Sequence, residues 1–363
     1  MRYGQVHATM RSTLLLLGAI VLVGGFLGCS SEAPPPEAPP KAAAPAFPPQ
    51  LDSYAPMEVP ADNPMTPEKV ALGKQLYYDK RLSGDGQRSC YGCHLKENGL
   101  TDGKPVAIGA FDKPLTRSSP TMWNIGYHNA WYWDGRAASL EAQVKGAWSG
   151  GNMGASGNAG APNMEAVCAS LDAIPGYHDQ FQKIFGGGCT PDNVAQAVAS
   201  FMRTIVSTDA AWVRFRNGDT AALSEEARRG WTVFSEKAKC TNCHDGVLLT
   251  DLQFHNVGIG MEAANPDPGR AKVSGDQKDT GAFKTPTLLD ISKSAPYFHN
   301  GSVATLEEAV DIMLQGGKPN PYLDEKNLAD AKNAKLTDAE KSDLLAFLRA
   351  LDANYTIEEP ALP

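Results

Sequence analysis

The chain has 363 residues, 42% of them hydrophobic, with 33 Lys and Arg against 41 Asp and Glu and a formal net charge of -8. That length allows more than one compact domain, and the apolar share lets each bury a core. The mildly acidic balance excludes a nucleic-acid binder, which would carry basic patches, and suits a positively charged protein partner.

The first segment reads as a targeting sequence. Arg2 and Arg11 make a positive start, and Leu14 to Leu27 is an apolar run too short for a retained transmembrane helix. It ends in Phe26-Leu27-Gly28-Cys29, which resembles a bacterial lipoprotein cleavage box with Phe26 where Leu is usual. On this reading residues 1–28 are a signal peptide and Cys29 becomes a lipid anchor on the periplasmic face of a membrane. Plain signal cleavage and an uncleaved anchor are the alternatives. Residues 29–51 are Pro- and Ala-rich, with Pro34-Pro35-Pro36 and Pro39-Pro40. They cannot bury a core and form an extended tether.

Thr66 is the predicted cap of a helix over Pro67–Tyr77, whose apolar residues recur at helical spacing. A short loop leads to Cys90-Tyr91-Gly92-Cys93-His94. Further on, Cys168 and Cys189 stand outside any motif. An exported chain meets an oxidising compartment, so they are expected to form a disulfide, the alternative being two buried free thiols. Ser224 then caps a second predicted helix running to Phe234, and Cys240-Thr241-Asn242-Cys243-His244 follows. Helix, loop and motif therefore occur twice, about a domain's length apart. Amphipathic helices over Leu306–Met313 and Ala339–Leu351 complete the chain. Strand signals are few. The expected fold is all-α, with two tandem cytochrome c-type domains at 52–215 and 216–363.

CxxCH is the signature of covalent haem attachment. Each thiol adds across one haem vinyl group, and the two intervening residues let one helical turn span them. The adjacent histidine then lies under the iron. A zinc site or a dithiol redox pair would not need a histidine directly after both pairs. Two haem c groups are expected, on Cys90, Cys93 and His94, and on Cys240, Cys243 and His244.

Five further motifs, in this order, join the two CxxCH sequences: Ser119-Pro120-Thr121, Trp133-Asp134-Gly135-Arg136-Ala137, Phe254-His255-Asn256-Val257-Gly258, Thr285-Pro286-Thr287-Leu288 and Ala295-Pro296-Tyr297-Phe298-His299-Asn300-Gly301-Ser302. From about Met65 to Leu351 the chain resembles the bacterial di-haem cytochrome c peroxidases and their relatives, the methylamine-utilisation type di-haem enzymes. The resemblance implies a peroxidatic haem in the N-terminal domain and an electron-entry haem in the C-terminal one. Hydrogen peroxide would be reduced to water with electrons from a small c-type cytochrome or copper protein. Met313 matches the family's axial methionine, where the methylamine-utilisation type carries a tyrosine; a thioether raises the iron potential, as electron entry requires. Met261, in a Gly/Pro-rich loop, is the alternative ligand. Trp133 matches the tryptophan between the haems.

The chain departs from the family on the distal side of the first haem. Ala110 stands where many members carry a histidine that blocks the iron, so that iron is expected to be open; His128 is the one nearby imidazole. Gln143 matches the distal glutamine. The distal glutamate is matched by Asn152, which can hydrogen-bond peroxide but cannot carry its proton at neutral pH. Glu165 could substitute, or could simply charge a helix N-terminus. The resemblance also implies calcium between the domains, at Ser118, where asparagine is usual, and at Ser294 and Pro296. Two other functions stay open. One is oxidation of a partner protein through high-valent iron, and the other is a non-catalytic di-haem electron carrier. The oligomeric state stays open between monomer and homodimer.

Overall fold

The structure is a computed structural model that describes residues 47–51 and 54–363. The expected signal peptide, Cys29 and most of the tether lie outside the described residues. Among the described residues, no helix is long and apolar enough to cross a membrane.

Helices α1 (Pro67–Tyr78), α2 (Leu140–Ser149), α3 (Met164–Asp172), α4 (Pro175–Phe185) and α5 (Pro191–Met202) come first. They are followed by α6 (Ala211–Arg216), α7 (Glu225–Thr232), the short α8 (Ala271–Ser274), α9 (Leu306–Leu314), α10 (Glu325–Asn333) and α11 (Asp338–Arg349). Two short strands, β1 (Phe254–His255) and β2 (Phe283–Lys284), pair antiparallel with Phe254 opposite Lys284.

The predicted helices form for the reasons the sequence offers. Thr66 Oγ1 accepts from the Lys69 N–H at 3.2 Å, and Pro67 starts α1 where its missing N–H costs nothing. Ser224 caps α7 in the same way through the Ala227 N–H, after which a π-helical turn extends over Val233–Lys237. Thr337 and Glu340 form a reciprocal capping box at the start of α11.

Each half is built on one close helix crossing. In α1, Leu72, Leu76 and Tyr77 are fully buried, and the helix packs on α5. A Cβ on Gly73 would lie 1.9 Å from the Ala197 carbonyl oxygen. In α7, a Cβ on Gly230 would lie 1.9 Å from the Asp343 carbonyl oxygen of α11. At both places only glycine lets the backbones approach so closely. The same device thus opens each half, ahead of its CxxCH motif.

The halves share a continuous core, and the described residues hold together as one unit. Helix α2 is pinned to the first crossing by Glu141. Its carboxylate takes Arg203 Nη1 at 2.7 Å and the Asn63 amide at 2.7 Å. Burial alone would raise the Glu141 carboxyl, but Arg203 and Asn63 override it and hold it below its usual value.

Cys168, on α3, and Cys189, ahead of α5, are free thiols here and not the expected disulfide; they are in hydrogen-bond contact with each other, so joining them stays a proposal. That contact, and then burial, pushes the Cys189 thiol far up.

Candidate functional site

Two cavities carry the chemistry-bearing residues. The first, about 990 Å³, is lined by Cys93, His94, Trp133, Gln143 and Asn152. The second, about 220 Å³, is lined by Cys240, Cys243, His244, Met313 and again Trp133.

The two histidines are held alike. His94 Nδ1 bonds the Leu100 carbonyl at 3.0 Å, and His244 Nδ1 bonds the Leu249 carbonyl at 2.9 Å. Each Nδ1 therefore carries the proton and donates it, leaving Nε2 with the lone pair that a metal needs. Burial draws both imidazoles below their usual pKa, which keeps them neutral. The thiols sit in tight turns, at Tyr91–Cys93 and Cys240–Asn242. Burial pushes Cys90 and Cys240 up to about 12. Neutral thiols, a preset imidazole tautomer and a cavity at each motif, the second of them largely apolar, fit a covalently attached haem.

Met313 projects from α9 into the wall of the second cavity. Met261 is not part of that wall; it packs on Gly281, where a Cβ would meet its sulphur at 2.3 Å. The fold therefore brings Met313, and not Met261, into the cavity with His244.

Trp133 lines both cavities. Its indole N–H donates to the Ser118 carbonyl at 2.9 Å, and its own carbonyl accepts from the Lys284 N–H at 2.8 Å. The next residue, Asp134, is buried and takes Arg117 Nη1 at 2.7 Å. Arg117 also grips Asp267 with two bonds of 2.7 and 2.8 Å, and Arg270 donates to the Asp134 and Gly135 carbonyls. The WDGR motif is thus a clamp that fixes Trp133 with residues from both halves of the chain.

Gln143 lies on α2, and Tyr132 O–H donates to its carbonyl at 3.0 Å. Asn152 lies in the loop that follows α2, where the Ala110 N–H donates to the Gly151 and Asn152 carbonyls at 3.0 and 3.1 Å. Ala110 itself is buried outside the cavity wall; Ala107, Pro114, Leu115, Thr116 and Arg117 are the parts of its loop that line it. No imidazole or thioether comes from that loop. Met122 and Met202, which sequence reasoning missed, add thioethers to the same wall, and Met122 Sδ accepts from Tyr77 O–H at 3.3 Å. His128 lies in neither wall and is bonded to Lys284. Glu165 is exposed in the first turn of α3, where it can favour the helix dipole but does not reach the cavity.

The three residues implied for calcium are not brought together by any hydrogen bond among the described residues. Ser118 gives its hydroxyl to the Phe298 carbonyl and its N–H to the His299 carbonyl, while its own carbonyl serves Trp133. Ser294 bonds the Ile291 carbonyl, and Pro296 follows a cis peptide. A calcium ion seeks six to eight oxygens, more than these three residues supply alone.

His255 is a further residue of the second cavity that its motif did not explain. Nε2 meets Asp251 at 2.8 Å and Nδ1 meets Asp324 at 2.5 Å. Burial alone would lower this imidazole, but Asp251, the Cys243 thiol and Asp324 together override it, and the group is pushed up to about 11. It is held between two carboxylates.

The model of the di-haem cytochrome c peroxidase family matches residues 67–221. The chain is 38% identical over 350 residues to the cytochrome-c peroxidase IdrP1 of Denitromonas iodatirespirans, covering 87% of this chain and 90% of that one. It is 39% identical over 312 residues to the methylamine utilization protein MauG of Methylorubrum extorquens, covering 84% of each. Among solved structures, a MauG-like protein associated with microbial copper homeostasis superposes with a TM-score of 0.72 at 34% identity, over 84% of this chain and 95% of that one. With these relatives and the twin CxxCH cavities, the chain belongs to the di-haem cytochrome c peroxidase family.

Proposed function

We propose that the chain is an exported cytochrome c peroxidase. It takes electrons from a small c-type cytochrome or copper protein and reduces hydrogen peroxide to two waters, consuming two electrons and two protons. The observation that carries this reading is the pair of CxxCH cavities with Trp133 in both walls. The division falls near 215/216. The N-terminal half holds the peroxide site at His94, and the C-terminal half takes in electrons at His244 and Met313. Haem, when bound, supplies the redox chemistry at both sites. The chain's own residues do the rest. His94 and His244 offer Nε2, and Gln143 and Asn152 hydrogen-bond peroxide. Trp133 gives electrons a short aromatic path. Calcium is not part of this reading.

Asn152 favours a second reading, because an amide does not shuttle protons. The turnover of peroxide would then be slow, and oxidation of a partner protein or plain electron carriage would take its place. Steady-state peroxide consumption with a reduced cytochrome donor separates these readings. Activity without a lag is expected whether or not the enzyme is first reduced, because no loop side chain blocks the first iron. High-spin ferric signals are expected in the oxidised protein. No consumption at all would favour the carrier, and activity only after reduction would mean that another side chain blocks the site.

The processing of the chain is read by one intact-mass measurement on the exported protein. The expected chain starts at an acylated Cys29, carries two haems, and has Cys168 and Cys189 joined. Closing that loop should contribute about 3 kcal/mol to stability. An unacylated start, a single haem, or alkylation of Cys168 without prior reduction would each refute its own part.

A further inference from the structure

Lys284 has no role in the function proposed above. It is the second residue of β2, only 7% exposed, and it lines the second cavity with Trp133 and His244. A buried ammonium is ordinarily paired with a carboxylate, yet among the described residues no carboxylate bonds Lys284. Its Nζ lies 2.7 Å from His128 Nδ1 and 2.8 Å from the Ala130 carbonyl. Its backbone N–H holds the Trp133 carbonyl at 2.8 Å. The side chain thus fastens two points of the segment 128–133 to the wall of the C-terminal cavity, and the backbone of the same residue fastens a third.

Besides the CxxCH residues, Lys239, His255 and His299 are the other titratable groups of the same cavity wall. His128 faces it from the turn ahead of Trp133. Phe254 stands opposite in β1, and the Arg270 guanidinium lies 4.4 Å from that ring on a different bonding task, at the Asp134 and Gly135 carbonyls. Burial pulls His128 well below its usual pKa, and the charge of Lys284 pulls it further, so it stays neutral and accepts. A neutral lysine has two N–H bonds, which the two acceptors satisfy. The third proton of an ammonium finds no acceptor among the described residues. Burial draws the Lys284 amine down to about 7, so both forms are accessible near neutral pH.

We infer that Lys284 is a positioning residue for electron entry and also its charge-balancing group. It ties the Trp133 segment to the C-terminal cavity and takes one proton from solvent for each electron the donor delivers there. This rests on the function proposed above. The donor is oxidised by one electron, the C-terminal site is reduced by one, and the amine becomes an ammonium, so the net charge of the buried site is unchanged. In a low-dielectric interior that neutrality favours the coupled event over electron uptake alone.

The test is a spectroelectrochemical titration of the C-terminal haem in the full-length holoprotein between about pH 6 and pH 9. Above neutrality the affinity for the electron should fall close to tenfold per pH unit, about 59 mV for a one-electron couple. Lys284→Arg keeps the charge throughout, so its potential should be high and flat. Lys284→Met lacks the charge, so its potential should be low and flat. A purely structural role would not produce those opposite displacements. A flat wild-type profile overturns the inference even if neither variant folds, and so does a slope that survives in Lys284→Met. Failure of the underlying reading looks different: the protein would then lack a second haem or a peroxidase activity.

Discussion

Asn152→Glu is expected to raise peroxide turnover by about 10²- to 10⁴-fold, the range that a positioned general acid/base contributes. Asn152 lines the first cavity with His94 and Gln143. Its loop is fixed on both sides: Gly154 N–H donates to the Gly150 carbonyl at 2.7 Å, and Gly84 N–H donates to the Met153 carbonyl at 2.7 Å. A carboxylate at this position would start from a held backbone. It could take the proton from one peroxide oxygen and return it to the other, which the amide cannot do. The gain should appear in kcat at saturating donor and fade as pH falls through the new carboxyl's pKa, because the protonated acid no longer accepts. A change in KM with kcat untouched would show that position 152 only helps to bind peroxide.

Met313→His should lower the potential of the C-terminal haem by a few tenths of a volt, within the span of about 0.8 V that axial ligands command. A thioether favours the reduced iron, whereas an imidazole donates more strongly and favours the oxidised one. Electron entry from the donor would stall, while a reaction of the first haem with peroxide supplied to a chemically reduced protein would persist. Helix α9 is well anchored by Leu306, Ala309, Val310 and Ile312, all buried, so the substitution tests the ligand rather than the fold. An unchanged potential would remove Met313 from the iron.

Much of the architecture was legible because its causes are local. Thr66, Ser224 and Thr337 cap helices through hydrogen bonds to residues three positions on, and apolar spacing does the rest. CxxCH is equally local. What escaped depends on residues far apart in the chain. Arg117 meets Asp267 across 150 positions, and Lys284 reaches His128 across 156. Neither pair has a pattern of its own, and a lone Lys at the end of a strand looks like a solvated charge. Met313 was preferred to Met261 on the family resemblance, and the fold adds the non-local reason by putting Met313 into the cavity wall. His255 had a usable signal, Asp251 four residues earlier, but its second carboxylate comes from Asp324.

The two glycine-seated crossings also bear on how the protein is made. Helix α1 meets α5, and α7 meets α11, only after loops of more than a hundred residues have closed, and each loop contains its CxxCH motif. Closing long loops is entropically uphill and slow. Until a crossing closes, its two thiols remain on an open chain; afterwards they are shut into a cavity. Maturation is therefore a race between the cell's attachment machinery and the seating of a helix on a glycine, and the late, long-range contact gives attachment the head start.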